Sequence, residues 1–522
     1  MLARPALSAV LQETALDRLS DGKAYDAVVI GAGATGATAA LHLTEVGARV
    51  LLLDAGAVIS PLRALSRRLA RGALRRLLSK RASDTFLTRR QSIQSQCYAW
   101  RSDPDVFVDD VDCPYGSPGQ QPFLWFRARG LGGRMSLRQH GRQYYRLGPG
   151  DFHPEDGLSP AWPLRPDELA PWYALVERRL DLSGRNDGLP WLPDSHIGHV
   201  LSPTPAEAAL QKSIRARWPG VRPILGRFAP FDYIENAAAT GRLLVRTQAI
   251  ACGFDVDRSG HVAGVNWIDA RTRVPQRSPA RLIFVCASAL ESTRLLLLSR
   301  NAEGGLGLGA ASGALGHFLM DHIRVRASGY GPPLPPEPTA EFDRCLYLAR
   351  FDARDAPSPP PGRGFGVQVY VRPQRNEASH FSATAFGEML PRADNRVVLD
   401  PERRDRWGIP ILRIECRHGV DDRARGQAEI VALRELADAA GVRLQAIDPA
   451  PAPPGSANHE CGTARMGDDA GNSVLDPFNQ CWEARGLYVT DGACMPSQGF
   501  QNPTLTLMAL TARACDHALR GA

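Results

Sequence analysis

"YDAVVIGAGATGATAALHLTEVGARVLLLDAG", residues 25–56, is the stretch that decides the fold. The run from Ala27 to Ile30 is short, apolar and β-branched, which predicts a strand buried on both faces. Gly31, Gly33 and Gly36 follow in GxGxxG spacing, and Ala37, Ala39, Ala40, Leu41 and Leu43 predict a helix whose small residues face that strand. A second apolar strand, "ARVLLLD", ends in Asp54, 18 positions beyond Gly36. Each residue type has a physical task. Gly31 permits a tight turn, Gly33 lets backbone N–H groups approach a pyrophosphate, and Gly36 lets helix and strand close up. The helix N-terminus turns its partial positive charge toward the phosphates. Asp54 stands where a carboxylate accepts hydrogen bonds from a ribose 2′-hydroxyl. Strand, glycines, helix, strand and acid in this order predict a dinucleotide cradle, without separating NAD from FAD.

The rest of the composition sets bounds. The chain has 522 residues, 44% hydrophobic and 22% charged, enough apolar material for two domains or two interleaved ones. Its 10 cysteines are scattered singly with no CxxC pair, which argues against zinc and thioredoxin-like sites and for a reducing compartment. The opening "MLARPALSAVLQETALDRLSDG" has no continuous apolar core, so no signal peptide is expected, and no run is long enough to span a bilayer. A cytoplasmic location is expected. The formal net charge of +7 is concentrated in "PLRALSRRLARGALRRLLSKR", residues 61–81, which holds eight basic residues and no acid. The remainder is close to neutral, which argues against nucleic-acid binding. Leucines at 62, 65, 69, 74, 77 and 78 recur at helical spacing in that stretch, with Gly72 weakening its middle. The stretch predicts either a helix whose leucines cover the dinucleotide domain or a contact with a membrane or an acidic partner.

Two C-terminal stretches look placed for chemistry: "SANHECGTARMG" (456–467) with His459, and "SQGFQNPTLTLMAL" (497–510) with Asn502. Taken alone, His459 could be a structural residue under a turn, and Asn502 the cap of the helix that follows, with Pro503 in its first position.

Together with "GLYVTDGACMP" (486–496), these blocks resemble the glucose–methanol–choline (GMC) oxidoreductases, FAD enzymes that oxidise alcohols. "RLIFVCASALESTRLLLLSR" (281–300), "LGHFLMDH" (315–322) and "NRVVLDPERRDRWGIPILRIE" (395–415) are similar to that family's middle elements, the last to its substrate-domain strand pair. Residues 125–152 and 161–184 look most like the branch of pyranose and glycoside oxidases and sugar dehydrogenases. The resemblance implies an α/β protein: a Rossmann-like FAD-binding domain interleaved with a mixed α+β substrate-binding domain. The expected segments are 1–150, 225–330 and 451–522 for FAD, and 151–224 and 331–450 for substrate.

The resemblance also implies roles. Gly31, Gly33, Gly36 and Asp54 hold the ADP half of FAD, and Gly132 and Gly133 pass close to the flavin. Ile250 lies where the backbone meets adenine. Asp491 and Gly492 close over the ribityl–pyrophosphate region, and Asn502, Pro503 and Thr504 lie beside the isoalloxazine. His459 becomes the base that takes the hydroxyl proton, since an imidazole has an ordinary pKa of about 6.5, and Asn502 the donor that orients the alcohol oxygen. Where pyranose oxidases carry a flavin-linked histidine this chain has Leu137, with His140 three residues late, so non-covalent FAD is expected. Ser288 replaces a usual turn glycine, and "RMSLRQHG" lacks the family's small and tryptophan residues. His317 and His322 read as structural, Cys461 as packing, and no metal is expected. The expected substrate is a sugar or glycoside. A non-sugar alcohol, or lyase chemistry without net redox, are the alternatives. The electron acceptor, whether oxygen, a quinone or another, stays open, and substrate preference is expected to reside in residues 331–390.

Overall fold

The computed structural model describes residues 25–58, 61–119, 122–138, 141–334, 344–356, 363–374 and 377–521. The N-terminal stretch read for a leader, His140, and parts of the Pro-rich loop lie outside these residues.

Strand β1 (Ala27–Ile30) is buried along its whole length, helix α1 (Ala34–Glu45) crosses behind it, and β2 (Val50–Asp54) pairs with it in parallel. Strand β3 (Leu243–Thr247) joins β2, β4 (Ile283–Val285) joins the other side of β1, and Leu487–Val489 completes a five-stranded parallel sheet. The apolar run on β1 and β2 has no polar alternation because the sheet is buried between α1 and the strand pair Ala249–Val256 and Val262–Asp269. Each of Val28, Val29, Ile30 and Leu52 is 4% exposed or less. Burying such a side chain contributes roughly 1.5–3 kcal/mol. The strands that build this sheet come from both ends of the chain and from its middle, so the domain is discontinuous in sequence.

A second sheet of six antiparallel strands includes β5 (Ile323–Pro333), β6 (Phe365–Gln374) and β7 (Glu377–Gly387). Strand β5 begins within the segment expected, up to residue 330, to belong to the FAD domain, yet it pairs in this sheet. Val325, Val367, Val369, Ala383 and Ala385 form one face, covered by the apolar residues of a long helix, Val420–Ala439. Gly441 follows that helix at φ +63°, a left-handed stop that glycine favours. The opposite face carries Gln368, Tyr370, Ser382, Thr384 and Phe386, since side chains alternate along a strand and Gln368 pairs with Thr384. The expected strand pair at 395–415 is present as Arg396–Arg404 with Pro410–Glu415, a separate ribbon rather than part of the six-stranded sheet. Arg294, on the helix after β4, ties it down through Asp405 at 2.9 Å.

The basic stretch forms helix α2 (Pro61–Leu77), unbroken at Gly72, followed by Lys80–Thr88. The expectation that its leucines cover the dinucleotide domain is not met. Leu62, Leu65, Leu69 and Leu77 are 53–82% exposed, whereas Arg67 and the half-buried Arg71 bond Asp105 at 3.1 and 3.0 Å. The helix is held by its charged side, and its apolar side faces out. Among the described residues no helix is long and apolar enough to cross a membrane.

Candidate active site

One cleft of about 250 Å³ runs from the β1–α1 turn to the His459 loop; a second cavity, near Arg344, holds only about 10 Å³. At its first end the cradle is built as the spacing predicts. Gly31 adopts φ +94°, and a β-carbon there would meet the Cys286 carbonyl oxygen at 2.4 Å. A β-carbon on Gly36 would meet the Gly31 oxygen at 1.8 Å, so Gly36 serves the close packing of α1 on the turn and does not itself line the cleft. Gly33, by contrast, faces open space, and the only atom near a β-carbon on Gly133 would be the Gly33 Cα at 3.7 Å. Gly132, at φ +90°, makes the turn and is not on the wall.

The carboxylate of Asp54 accepts backbone N–H bonds from Ala32 (2.7 Å) and Gly56 (2.6 Å), which fix it at the cleft wall. Burial raises its pKa, while those two bonds and Arg129 oppose the rise. Each oxygen keeps a lone pair for a ligand hydroxyl. Ile250 lines the same end. A bare helix N-terminus, a glycine wall no side chain fills and an acid held by backbone donors fit the ADP half of FAD.

At the other end Asp491 and Gly492 line the cleft beside Asn502, Pro503 and Thr504. Asp491 accepts bonds from the Ser292 hydroxyl and the Ala493 N–H, and burial pushes its pKa up to about 6. The turn above it contains Ser288 at φ +73°, the position where glycine was expected by resemblance. The C-terminal helix spans Thr504–Arg520 with Pro503 as its N-cap and no side-chain capping bond. Asn502 is therefore not the cap that the sequence predicted. Its Oδ1 accepts from Gln368 Nε2 at 2.7 Å and its Nδ2 lies 3.3 Å from His459 Nε2. A β6 residue and the base candidate hold this amide, and the helix end is left to the cleft.

The His459 loop is fixed from several sides. Its backbone N–H donates to Asp321 Oδ1 (2.9 Å), as does that of Ala457 to Oδ2 (2.9 Å). Burial, then the charge of Glu460, pushes Asp321 up to about 7. Arg134, one residue beyond the Gly132–Gly133 turn, pairs with Glu460 and donates to the Asn458 carbonyl. Gln498 donates to the His459 carbonyl, and the Phe386 ring lies 5.5 Å from the imidazole. His322 Nδ1 sits 2.7 Å from His459 Nδ1, while His317 turns away to the Ala393 carbonyl. Among the described residues no group of three or more His, Cys, Asp or Glu could hold a metal ion. Cys461 is buried, and burial raises its thiol pKa well above the ordinary value.

His459, Asn502, Gly31, Gly33, Gly133, Asp54, Ile250, Asp491, Gly492, Pro503 and Thr504 thus meet on one cleft. Sequence reasoning missed Gln368, Phe386 and Asp321 and set His322 aside. The signal for the last two was their adjacency in "LGHFLMDH"; the first two sit on strands whose pairing no local spacing reveals.

A parallel sheet with a glycine cradle, joined by one cleft to a histidine–asparagine pair on C-terminal loops that pack against a second sheet, defines an FAD-dependent oxidoreductase. The pattern of the GMC oxidoreductase family matches residues 391–511, and that of the FAD dependent oxidoreductases residues 26–93. Both matched segments are similar to flavin-dependent oxidoreductases, the longer one to the GMC family. It is 28% identical to 2-methyl-1,2-propanediol dehydrogenase of Mycolicibacterium austroafricanum over 95% of each chain. It is 27% identical to 6'''-hydroxyparomomycin C oxidase of Streptomyces lividus over 97% of this chain and 92% of that one. A 28% identity to the C-glycoside 3-oxidase of Arthrobacter globiformis covers 66% and 63%. The crystal structure of pyridoxine 4-oxidase from Mesorbium loti shares the fold, with TM-score 0.64 at 19% identity over 94% of this chain and 99% of that one.

Proposed function

We propose that the protein oxidises an alcohol group of a sugar or glycoside to a carbonyl, with His459 as the base and Asn502 as the oxygen-orienting donor. The observation that carries this reading is the 3.3 Å approach of His459 Nε2 and Asn502 Nδ2 on the wall of the cleft. When bound, FAD supplies the hydride acceptor. His459 takes the hydroxyl proton at Nε2, and the Asn502 amide donates to the same oxygen without competing for that proton. Gln368 fixes the amide's orientation by holding its Oδ1. The face of β6 and β7 shared with Gln368 carries Tyr370, Ser382 and Thr384, hydroxyl groups suited to a polyhydroxylated substrate. The 6'''-hydroxyparomomycin C oxidase and the C-glycoside 3-oxidase among the relatives support the same class.

A small non-sugar alcohol is the second reading, favoured by the diol dehydrogenase that aligns over nearly the whole chain. Anaerobic bleaching of the flavin by a panel of sugars, glycosides, aliphatic diols and aryl alcohols tests the choice. Bleaching by sugars or glycosides supports the first reading. Bleaching by diols or aryl alcohols alone overturns it, and a flavin that no alcohol bleaches leaves the lyase alternative. Oxygen uptake against reduction of a quinone analogue then identifies the acceptor. Leu137, buried at the position of the flavin-linked histidine, supports non-covalent FAD.

The outward apolar face of α2 supports a contact with an anionic lipid surface. Arg67 and Arg71 grip Asp105, so the helix cannot turn its leucines inward without breaking two ion pairs. An excess of basic residues around an exposed leucine stripe matches an interfacial helix, and the cytoplasmic leaflet is anionic. All 10 cysteines are free thiols, in keeping with a reducing compartment. Co-sedimentation of the holoprotein with phosphatidylglycerol vesicles, against neutral ones, tests the contact. Salt-sensitive binding that is lost in Leu62→Ser/Leu65→Ser/Leu69→Ser is the expected result. Absence of binding overturns it, and dimerisation lost in the same variant would assign the face to a second copy instead.

A further inference from the structure

Resting on the reading of His459 as base, we propose that His322 is a positioning residue that fixes which ring nitrogen of His459 carries the proton. The reasoning starts from an atom whose role is not in doubt. The Gly499 carbonyl oxygen can only accept, and His322 Nε2 lies 2.9 Å from it, so that nitrogen carries a hydrogen. His322 is 1% exposed, and burial pushes its pKa down to about 4, so at neutral pH it holds one proton. Its Nδ1 is then a bare lone pair. His459 Nδ1, at 2.7 Å, must be the donor of that contact.

A neutral His459 with its hydrogen on Nδ1 has its lone pair on Nε2. That is the nitrogen facing Asn502 and the cleft, so the proton acceptor is presented where an alcohol would bind. The remaining bonds run in one direction. Asn502 Nδ2–H points to His459 Nε2, and Gln368 Nε2–H points to Asn502 Oδ1. When Nε2 takes a proton, the positive charge strengthens the Nδ1–H bond to His322. The opposite tautomer would set two lone pairs against each other at Nδ1 and leave no acceptor toward the substrate.

The surrounding charges do not perform this task. Asp321 is engaged by the backbone N–H groups of Ala457 and His459. Glu460 pairs with Arg134, and Arg324 donates to the Ser456 carbonyl. Glu388 pairs with Arg363 and accepts from the backbone of Gln498 and Gly499. Phe386 packs against both imidazoles and holds them edge to face.

Three substitutions separate positioning from packing. His322→Asn places an oxygen acceptor near the position of Nδ1. His322→Gln reaches Gly499 but offers no acceptor there, and His322→Phe keeps only the ring. Long-range ¹H–¹⁵N spectra of ¹⁵N-histidine-labelled holoprotein read the His459 tautomer without turnover. Wild type and His322→Asn should show Nδ1–H with a bare Nε2, and the Gln and Phe variants a mixture. Flavin reduction should fall about 100-fold in the Gln and Phe variants, as expected for a base in the wrong proton state. Its pH midpoint should shift in the same two variants. An Nδ1–H tautomer that survives in His322→Phe, or a Phe variant as fast as His322→Asn, would overturn the proposal. If His459→Ala reduces its flavin at the normal rate, the base reading fails, and the spectra still report the tautomer independently.

Discussion

His459 and Asn502, from separate loops of the C-terminal segment, bring Nε2 and Nδ2 to 3.3 Å on a cleft whose far end is the GxGxxG turn. The pair is held by neighbours from outside its own segment: Gln368 on β6 and Asp321, two residues before β5.

Asn502→Ala removes the donor and leaves the helix uncapped as before. Its flavin reduction should slow by about 10–100-fold, the loss of ~1.5–3 kcal/mol expected for a hydrogen bond to a developing charge. Thermal stability should change little, because the Asn502 side chain makes no capping bond to the helix. Stopped-flow reduction alongside a melting curve measures both. Unchanged reduction removes Asn502 from the chemistry.

Gln368→Leu takes away the donor that orients the Asn502 amide. The amide can then turn its oxygen toward His459, and reduction should fall about 10-fold, the cost of ~1.4 kcal/mol in donor geometry. FAD content, read from the visible spectrum, should stay at one per chain. Normal reduction would show that His459 alone sets the amide.

Ser288→Gly should stabilise the protein. A non-glycine residue at φ +73°, ψ 152° carries ~1–3 kcal/mol of backbone strain. Glycine's freedom in the unfolded chain takes back ~0.4–1 kcal/mol. A net gain of about 1 kcal/mol should appear in urea denaturation. A loss of stability would mean the serine's own contacts outweigh the strain.

Asp321→Asn tests a pH dependence. The buried carboxyl titrates at about 7, above its ordinary value of 3.8. The native state therefore holds this proton more tightly, and its contribution is complete below about pH 4 and lost as pH rises through about 7. The variant should be the less stable protein, by a margin that shrinks between pH 5 and 8 by an amount on the order of 2 kcal/mol. Denaturation at the two pH values measures it, and a margin independent of pH would contradict the raised pKa.

The two ends of the cleft differed in how much the sequence revealed. Gly31, Gly33, Gly36 and Asp54 were readable because their task is local: turn, close approach, helix packing and acid all lie within one strand–helix–strand unit. His459 and Asn502 were readable through their motif blocks, not through periodicity. Gln368, Phe386 and His322 gain their roles from strand register and from a fold that brings β5 beside the C-terminal loops, which spacing does not encode. Asn502 shows the same limit in reverse. Local rules made it a helix cap, and a long-range partner, Gln368, claimed its side chain instead. For α2, amphipathic spacing correctly gave a helix, but not the side it turns to the protein. That orientation was decided by Asp105, an acid with no local signal.

The most direct test of the account is single-turnover reduction of the flavin, without oxygen, in wild type and His459→Ala with an alcohol that bleaches the wild type. The account predicts an unchanged resting flavin spectrum in the variant and a reduction rate at least 100-fold lower, the range expected for loss of a general base. A His459→Ala protein that bleaches as fast as wild type would contradict it.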